Sequence, residues 1–200
     1  VNVHYVAVAS VGILAYLLGT FPSAIIVAKA CGVDVTRAGS GNPGASNVTR
    51  LLGWKKGVYV YGLDAVKGIL AVIMGRLVAG DAGGYVCAAA ALVGHVFPAT
   101  RSFKGGKGVA TGSGVMLIMQ PAVSLVLGVL WFAVTKTTKK ASLASLAVTI
   151  SLPIGLLVAG SPAWEVLAVF GIGTLVIYRH LPNLRRLRSG TEHSLSHKAS

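Results

Sequence analysis

Residues 107–136 read KGVATGSGVMLIMQPAVSLVLGVLWFAVTK, an apolar stretch with a lysine at each end and Gln120-Pro121 near its middle. How often this stretch crosses a membrane decides the fold. One crossing takes about 20 apolar residues, with a lower limit near 17. The stretch is generous for one crossing and too short for two of full length. A single crossing puts Lys107 and Lys136 on opposite sides. Two short crossings turning at Gln120-Pro121 return both lysines to the same side.

Charge elsewhere in the chain chooses between these drawings. Apolar runs lie at 3–28, 58–79, 85–99, 109–119, 122–134, 143–159 and 163–178. With all seven crossing and the N-terminus outside, the inner side receives every one of the 18 basic residues except Lys67 and Arg76. The positive-inside rule expects that skew. A re-entrant hairpin over 107–136 satisfies the charges equally well. The predicted fold is an all-α integral membrane protein, a seven-transmembrane-helix bundle. Its N-terminus is outside, its C-terminus cytoplasmic, and its two central helices are short. One domain covers residues 1–192. Residues 193–200, with His193 and His197, form a tail read as disordered.

Composition agrees with a membrane protein. The chain is 54% hydrophobic and 12% charged, where soluble chains carry about 25% charged residues. The net charge of +13 anchors helix ends rather than binding nucleic acid, because no soluble fold is there to present it. Cys31 and Cys87 are too few and too far apart for a disulfide or metal framework, and both read as buried thiols. No cluster of carboxylates or histidines has ligand spacing, so no metal and no cofactor are expected. No basic residue precedes Lys29, so the first segment is expected to be retained rather than cleaved. No internal repeat supports a transporter built from two similar halves.

Three islands rich in glycine and basic residues interrupt the apolar runs, and this topology places all three on the inner face. The first runs from Gly39 through Ser40, Gly41 and Asn42 to Asn47 and Arg50. Successive small residues there can form a nest of backbone N–H donors for an anion, and 45–53 reads as a short interfacial helix carrying Arg50. Ser40 is not a nucleophile elbow, because Ala38 stands where that motif needs glycine. Asn47-Val48-Thr49 is a glycosylation acceptor in form only, being on the cytoplasmic side. The second island is Phe103-Lys104-Gly105-Gly106-Lys107-Gly108. It fails the Walker A pattern, since Gly108 follows Lys107 and no strand precedes it. The third holds Arg179, His180, Asn183, Arg186, Gly190 and Glu192. His180 and Asn183 share a face if the helix continues, and Pro182 interrupts it. His180 can bond a phosphate or accept a proton. Glu192 can pair with an arginine. Asp64 and Lys67, three apart within a run, are expected to pair with each other. His95 reads as a packed or capping histidine.

With these residues the chain resembles the PlsY family of bacterial acyl-phosphate-dependent glycerol-3-phosphate acyltransferases. The resemblance covers about residues 16–192. Its three motifs correspond to Gly39-Ser40-Gly41-Asn42 on to Arg50, Gly94-His95 on to Thr111, and Arg179-His180 on to Glu192. It implies a seven-helix bundle in the bacterial inner membrane with the active site facing the cytoplasm, and a monomer is expected. It implies transfer of a fatty acyl group from acyl phosphate to the 1-hydroxyl of glycerol 3-phosphate. The products are lysophosphatidic acid and inorganic phosphate, in the first step of phospholipid synthesis. By the same resemblance Ser40, Gly41 and Asn42 hold the acyl phosphate and Arg50 grips a phosphate in a bidentate contact. Lys104, Gly105, Gly106, Lys107 and Gly108 bind phosphate, with the two lysines not separable. Ser142 contacts glycerol 3-phosphate, His180 and Asn183 contact substrate, and Glu192 orients the site. Arg101 and Pro182 depart from the usual pattern.

Both substrates are anionic and one carries a lipid tail, which suits a cationic site beside an apolar groove in membrane lipid. The proton lost by the attacking hydroxyl has two candidate acceptors, His180 and an oxygen of the substrate's own phosphate. The second is favoured because the inner face has few carboxylates. Direct transfer without an acyl-enzyme follows. The H-x-x-x-x-D pattern of another acyltransferase family is absent: Thr100 stands at that spacing from His95 and Arg185 from His180. Two other readings use the same cationic face, an organic-phosphate transporter and a non-catalytic binder of anionic lipid.

Overall fold

The computed structural model describes residues 3–196. Helix is the only regular structure among them, in the order α1 (Val3–Gly19), α2 (Ser23–Lys29), α3 (Ala45–Leu52), α4 (Trp54–Val96), α5 (Val109–Met119), α6 (Pro121–Thr138), α7 (Ala141–Val158), α8 (Ala163–Arg179) and α9 (Leu181–Arg188), with one 3-10 turn at Ala99–Arg101. Four stretches are long and apolar enough to cross a membrane: Val3–Lys29, Trp54–Arg101, Pro121–Thr138 and Ala141–Val158. The bent pair α8–α9, at 55°, makes a fifth candidate.

α4 has 43 residues, which would run about 64 Å if straight, twice the hydrocarbon thickness of a bilayer. It does not run straight. Ala79 (φ −146°, ψ 32°) and Gly80 (φ 58°, ψ −151°) leave helical geometry, and the chain doubles back. Gly75 and Gly83 meet backbone to backbone, where a Cβ on Gly75 would stand 2.1 Å from the Gly83 carbonyl oxygen. The side chains of Asp64 and His95 approach to 3.8 Å across the same hairpin. The runs expected at 58–79 and 85–99 are therefore its two arms. The second arm ends at Val96, because Pro98 stops it.

The stretch 107–136 also doubles back. Gln120 breaks the helix (φ −142°, ψ 66°) and Pro121 opens the next one, in the first turn, where a missing N–H costs nothing. Lys107 bonds Asn183, Asn183 bonds Glu192, and Glu192 bonds Ser142. Gln120 instead bonds Glu165, at the far end of α8. Both ends of the stretch thus lie together and its middle lies away from them, as the charge argument required. The expectation of two short central helices holds for α5, with 11 residues, but not for α6, with 18. α6 runs past the apolar run to Thr138, and Thr137 and Thr138 satisfy their hydroxyls on carbonyls of the preceding turn.

Packing relies on small residues. A Cβ on Gly19 would strike the Ala91 carbonyl, one on Gly94 that of Tyr16, and one on Gly114 that of Ala65. Such contacts let backbones meet where lipid offers no hydrophobic drive. At the end away from the site, Glu165 accepts bonds from Tyr85 (3.0 Å) and Gln120 (2.7 Å), tying α4, α8 and the α5–α6 turn. Cys87 is buried but Cys31 is exposed, against expectation, because it lies past the end of α2.

Candidate active site

The polar end of the bundle is built where helices stop. α8 ends at Arg179, His180 forms the junction, and α9 starts with Pro182 in its first turn. His180 and Asn183 are therefore not on one continuing helix. Both side chains are nonetheless buried, and both reach the same cavity. Proline in the first turn of α9 is what permits the bend.

Glu192 is the organising carboxylate. Its Oε1 accepts bonds from Ser142 Oγ (2.7 Å) and Asn183 Nδ2 (2.6 Å), and its Oε2 accepts one from Arg186 Nε (2.8 Å). Burial pushes its carboxyl up, but these three donors outweigh burial and hold it below the usual range. Asn183 Oδ1 in turn accepts a bond from Lys107 Nζ (2.5 Å). Burial pushes Lys107 down to about 8, further helped by Arg186, Arg50 and Arg179 and opposed by Glu192. Burial and the charge of Lys107 push His180 down to about 4, so its imidazole is neutral near pH 7. Its Nδ1 lies 2.8 Å from the Val176 carbonyl oxygen. A carbonyl can only accept, so Nδ1 carries the proton and Nε2 keeps its lone pair.

The first island is held by a residue that sequence reading passed over. Asn47 accepts the Ser40 N–H (3.0 Å) and donates to the carbonyls of Val35 and Ala38 (both 3.1 Å). Its fully buried amide thus shapes the loop, with Gly39 and Gly41 at positive φ on either side of Ser40. α3 forms as expected and buries Arg50. Arg50 Nε donates to the Ser194 carbonyl (3.1 Å), and the Leu195 N–H reaches the Lys139 carbonyl (2.8 Å). The described part of the expected loose tail, 193–196, is thus bonded over the site. Residues 197–200, including His197, lie outside the described residues.

In the second island the N–H groups of Gly105 and Gly106 bond the carbonyls of Val96 and His95 (both 3.1 Å). From the other side Arg179, missed as a site residue, donates to the carbonyls of Gly105 (2.9 Å) and Gly106 (3.3 Å). Its guanidinium also lies 5.8 Å from the Phe97 ring centre. The signal available in sequence was its place at the start of the third motif.

Two cavities meet here. A basic basin of about 450 Å³ is lined by Ser40, Gly41, Asn42, Lys104, Gly105, Lys107, Arg179, Asn183 and Arg186, among others. A mostly apolar groove of about 910 Å³ takes in Arg50, Gly108, Ser142 and His180 at one end and Leu125, Val129, Leu152 and Ile172 further along. Ser40, Asn42, Lys107 and Asn183 line both. The two lysines that sequence could not separate are thereby separated: Lys107 stands at the junction, whereas Lys104 is exposed and lines the basin alone. Gly106 and Glu192 line neither cavity; each acts from behind, Gly106 against His95 and Glu192 through its donors.

Residues 9–190 match the family model described as glycerol-3-phosphate acyltransferase. The chain belongs to that family. It is 42% identical over 183 residues to the glycerol-3-phosphate acyltransferase of Aquifex aeolicus, covering 90% of this chain and 95% of that one. It is 38% identical over 189 residues to glycerol-3-phosphate acyltransferase 1 of Deinococcus radiodurans, covering 94% and 96%. Among solved structures it is similar to PlsY, an integral membrane glycerol 3-phosphate acyltransferase, in its glycerol 3-phosphate form. The TM-score there is 0.89 at 40% identity, with 94% of each chain covered. The lysophosphatidic acid form of PlsY gives a TM-score of 0.87 at the same identity.

Proposed function

We propose that this chain transfers a fatty acyl group from acyl phosphate to the 1-hydroxyl of glycerol 3-phosphate, releasing lysophosphatidic acid and inorganic phosphate. The observation that carries the reading is the junction of a cationic basin with an apolar groove at Ser40, Asn42, Lys107 and Asn183. Glycerol 3-phosphate takes the basin, with Lys104 and Lys107 on its phosphate, while Gly105, its N–H already bonded to the Val96 carbonyl, fixes the loop between them. The acyl phosphate lies across the junction, its headgroup on the Ser40 hydroxyl, the Asn42 amide and Arg50 and its tail in the groove; the N–H groups of Ser40 and Gly41, expected to form an anion nest, are taken by Asn47 and the Ala38 carbonyl. A tail entering from lipid is already out of water, so the groove positions it by packing while the headgroup contacts hold the substrate in place. Two anions held side by side repel, and the surrounding cations and amide donors offset that repulsion.

The glycerol hydroxyl oxygen attacks the acyl carbonyl, and the bond to phosphate breaks without an acyl-enzyme. A base with pKa near the working pH transfers protons best. His180, neutral and pushed down to about 4, is a weak base at pH 7. A phosphate monoester, with a second pKa near 6, is a better match. The proton of the hydroxyl therefore goes to a substrate phosphate oxygen, and His180 Nε2 accepts a hydrogen bond that orients the substrate.

The same reading places seven spans in the bacterial inner membrane: α1–α2, the two arms of α4, α5, α6, α7 and α8. The N-terminus is outside, the site is at the cytoplasmic face, and the protein acts as a monomer. Purified protein in detergent should release phosphate only when acyl phosphate and glycerol 3-phosphate are both present. Release from acyl phosphate alone at the same rate, or counterflow of glycerol 3-phosphate in liposomes without product, would refute the assignment. His180→Ala at saturating substrate should cost less than about four decades of turnover, because a larger loss would make His180 the base.

A further inference from the structure

The catalytic reading leaves one group of buried charged side chains unused. Asp64 and Lys67 pair at 2.9 Å with both side chains almost wholly enclosed. Charges are costly inside a span, and an ion pair that served only itself could be replaced by packed apolar residues at little cost. This pair serves more than itself. Lys67 Nζ donates to the Phe21 carbonyl (3.2 Å), and Arg101 donates to the Thr20 carbonyl (3.3 Å). Those carbonyls lie at the break between α1 and α2 that Pro22 imposes.

The Asp64 oxygen that pairs with Lys67 also faces His95. Oδ1 lies 3.8 Å from His95 Nδ1, a buried nitrogen without a hydrogen-bond partner. A movement of about 1 Å would close that gap to a hydrogen bond. The far edge of the same ring supports the lysine loop, where a Cβ on Gly106 would lie 2.2 Å from His95 Nε2. The His95 carbonyl meanwhile accepts the Gly106 N–H. A continuous set of contacts thus runs from the α1–α2 break through Lys67, Asp64 and His95 to Gly106, next to Lys107.

We propose that the Asp64–Lys67 pair, acting through His95, is a positioning element that sets where the Gly105-Gly106-Lys107 loop presents itself to phosphate. The inference rests on reading that loop as a phosphate site, and not on which acyl donor is used. Asp64 and His95 also border the groove; the role proposed for them is positioning, exerted through the loop.

The test uses full-length protein in detergent and calorimetric binding of glycerol 3-phosphate. The double variant Asp64→Asn/Lys67→Met removes both charges together. Its Kd for glycerol 3-phosphate should rise by about tenfold or more, while the KM for the acyl donor moves less than about twofold and the melting midpoint stays within a few degrees. His95→Phe leaves the ion pair intact, fills the same space and lacks Nδ1. It should weaken glycerol 3-phosphate binding by about fivefold, which keeps the proposal testable if the double variant does not fold. Unchanged affinity in His95→Phe would overturn the proposal. So would a double variant in which Kd, donor KM, turnover and melting midpoint all worsen together, as mere loss of stability would produce. Wild-type protein that failed to bind glycerol 3-phosphate would instead remove the loop reading itself.

Discussion

Replacing Glu192 by glutamine isolates the charge that organises the site. The carboxylate accepts from Ser142 and Asn183 on one oxygen and from Arg186 on the other. A glutamine amide has one accepting oxygen and one donating NH2. With its oxygen in the Oε1 place, the NH2 faces the Arg186 guanidinium, donor against donor. With its oxygen in the Oε2 place, the NH2 faces that of Asn183, donor against donor, while the Ser142 hydroxyl can turn to accept. Either way one charge-assisted bond is lost, about 1.5–3 kcal/mol, and in the first orientation a cation is left unpaired as well. Arg186 is 29% exposed, so water recovers part of the second cost. About 3 kcal/mol in total corresponds to roughly a hundredfold. Because Asn183 also holds Lys107, the deficit should appear in kcat/KM for glycerol 3-phosphate as well as in the melting midpoint. The assay is phosphate release from the purified variant, with the midpoint followed by tryptophan fluorescence. A variant with kcat/KM within about threefold of wild type and an unchanged midpoint would refute the reasoning, since Glu192 would then be holding nothing the reaction needs.

Lys107 sets an alkaline limit. Burial lowers it to about 8, so its cation is present below that pH and lost as pH rises through it. In wild type kcat/KM should fall about tenfold per pH unit above 8, and Lys107→Arg should move that limb beyond about pH 10; a flat wild-type profile to pH 10 would contradict this. The glycines give a paired contrast. An Ala Cβ at position 105 would lie 2.0 Å from the His95 carbonyl oxygen and 2.5 Å from that of Val96, backbone that cannot yield. Gly105→Ala should therefore lower kcat/KM by about a hundredfold or more. Gly128, although it lines the groove, has nothing within 4 Å of an added Cβ, so Gly128→Ala should change kcat/KM by less than about threefold. Equal effects at the two positions would refute the argument from the close backbone contact at Gly105.

Much of the fold was legible because it is written locally. The apolar runs at 58–79 and 85–99 gave the two arms of α4, while the break at Ala79-Gly80 came from the structure. Gln120-Pro121, weighed with the lysines at either end, gave the α5–α6 reversal without any knowledge of a partner residue. The Asp64–Lys67 pair was legible from spacing on one helix. The length of α6 was not, because the apolar run stops at Val134 while the helix runs on to Thr138, where Thr137 and Thr138 satisfy their hydroxyls on the preceding turn. The structural role of Asn47 was not legible for a different reason. Its three partners, Val35, Ala38 and Ser40, lie in an irregular loop whose shape no periodicity encodes.

The amino-acid sequence by itself determined which stretches are apolar, where charges gather, and which side chains are present to hold an anion. These are properties of each residue and its near neighbours. Only the tertiary structure decided that Lys107, not Lys104, stands where basin and groove meet, that Gly106 rests on His95, and that Glu192 holds the site from behind. Those assignments depend on contacts between residues tens of positions apart. Their distances are fixed by how the helices pack together, a quantity that no local pattern carries.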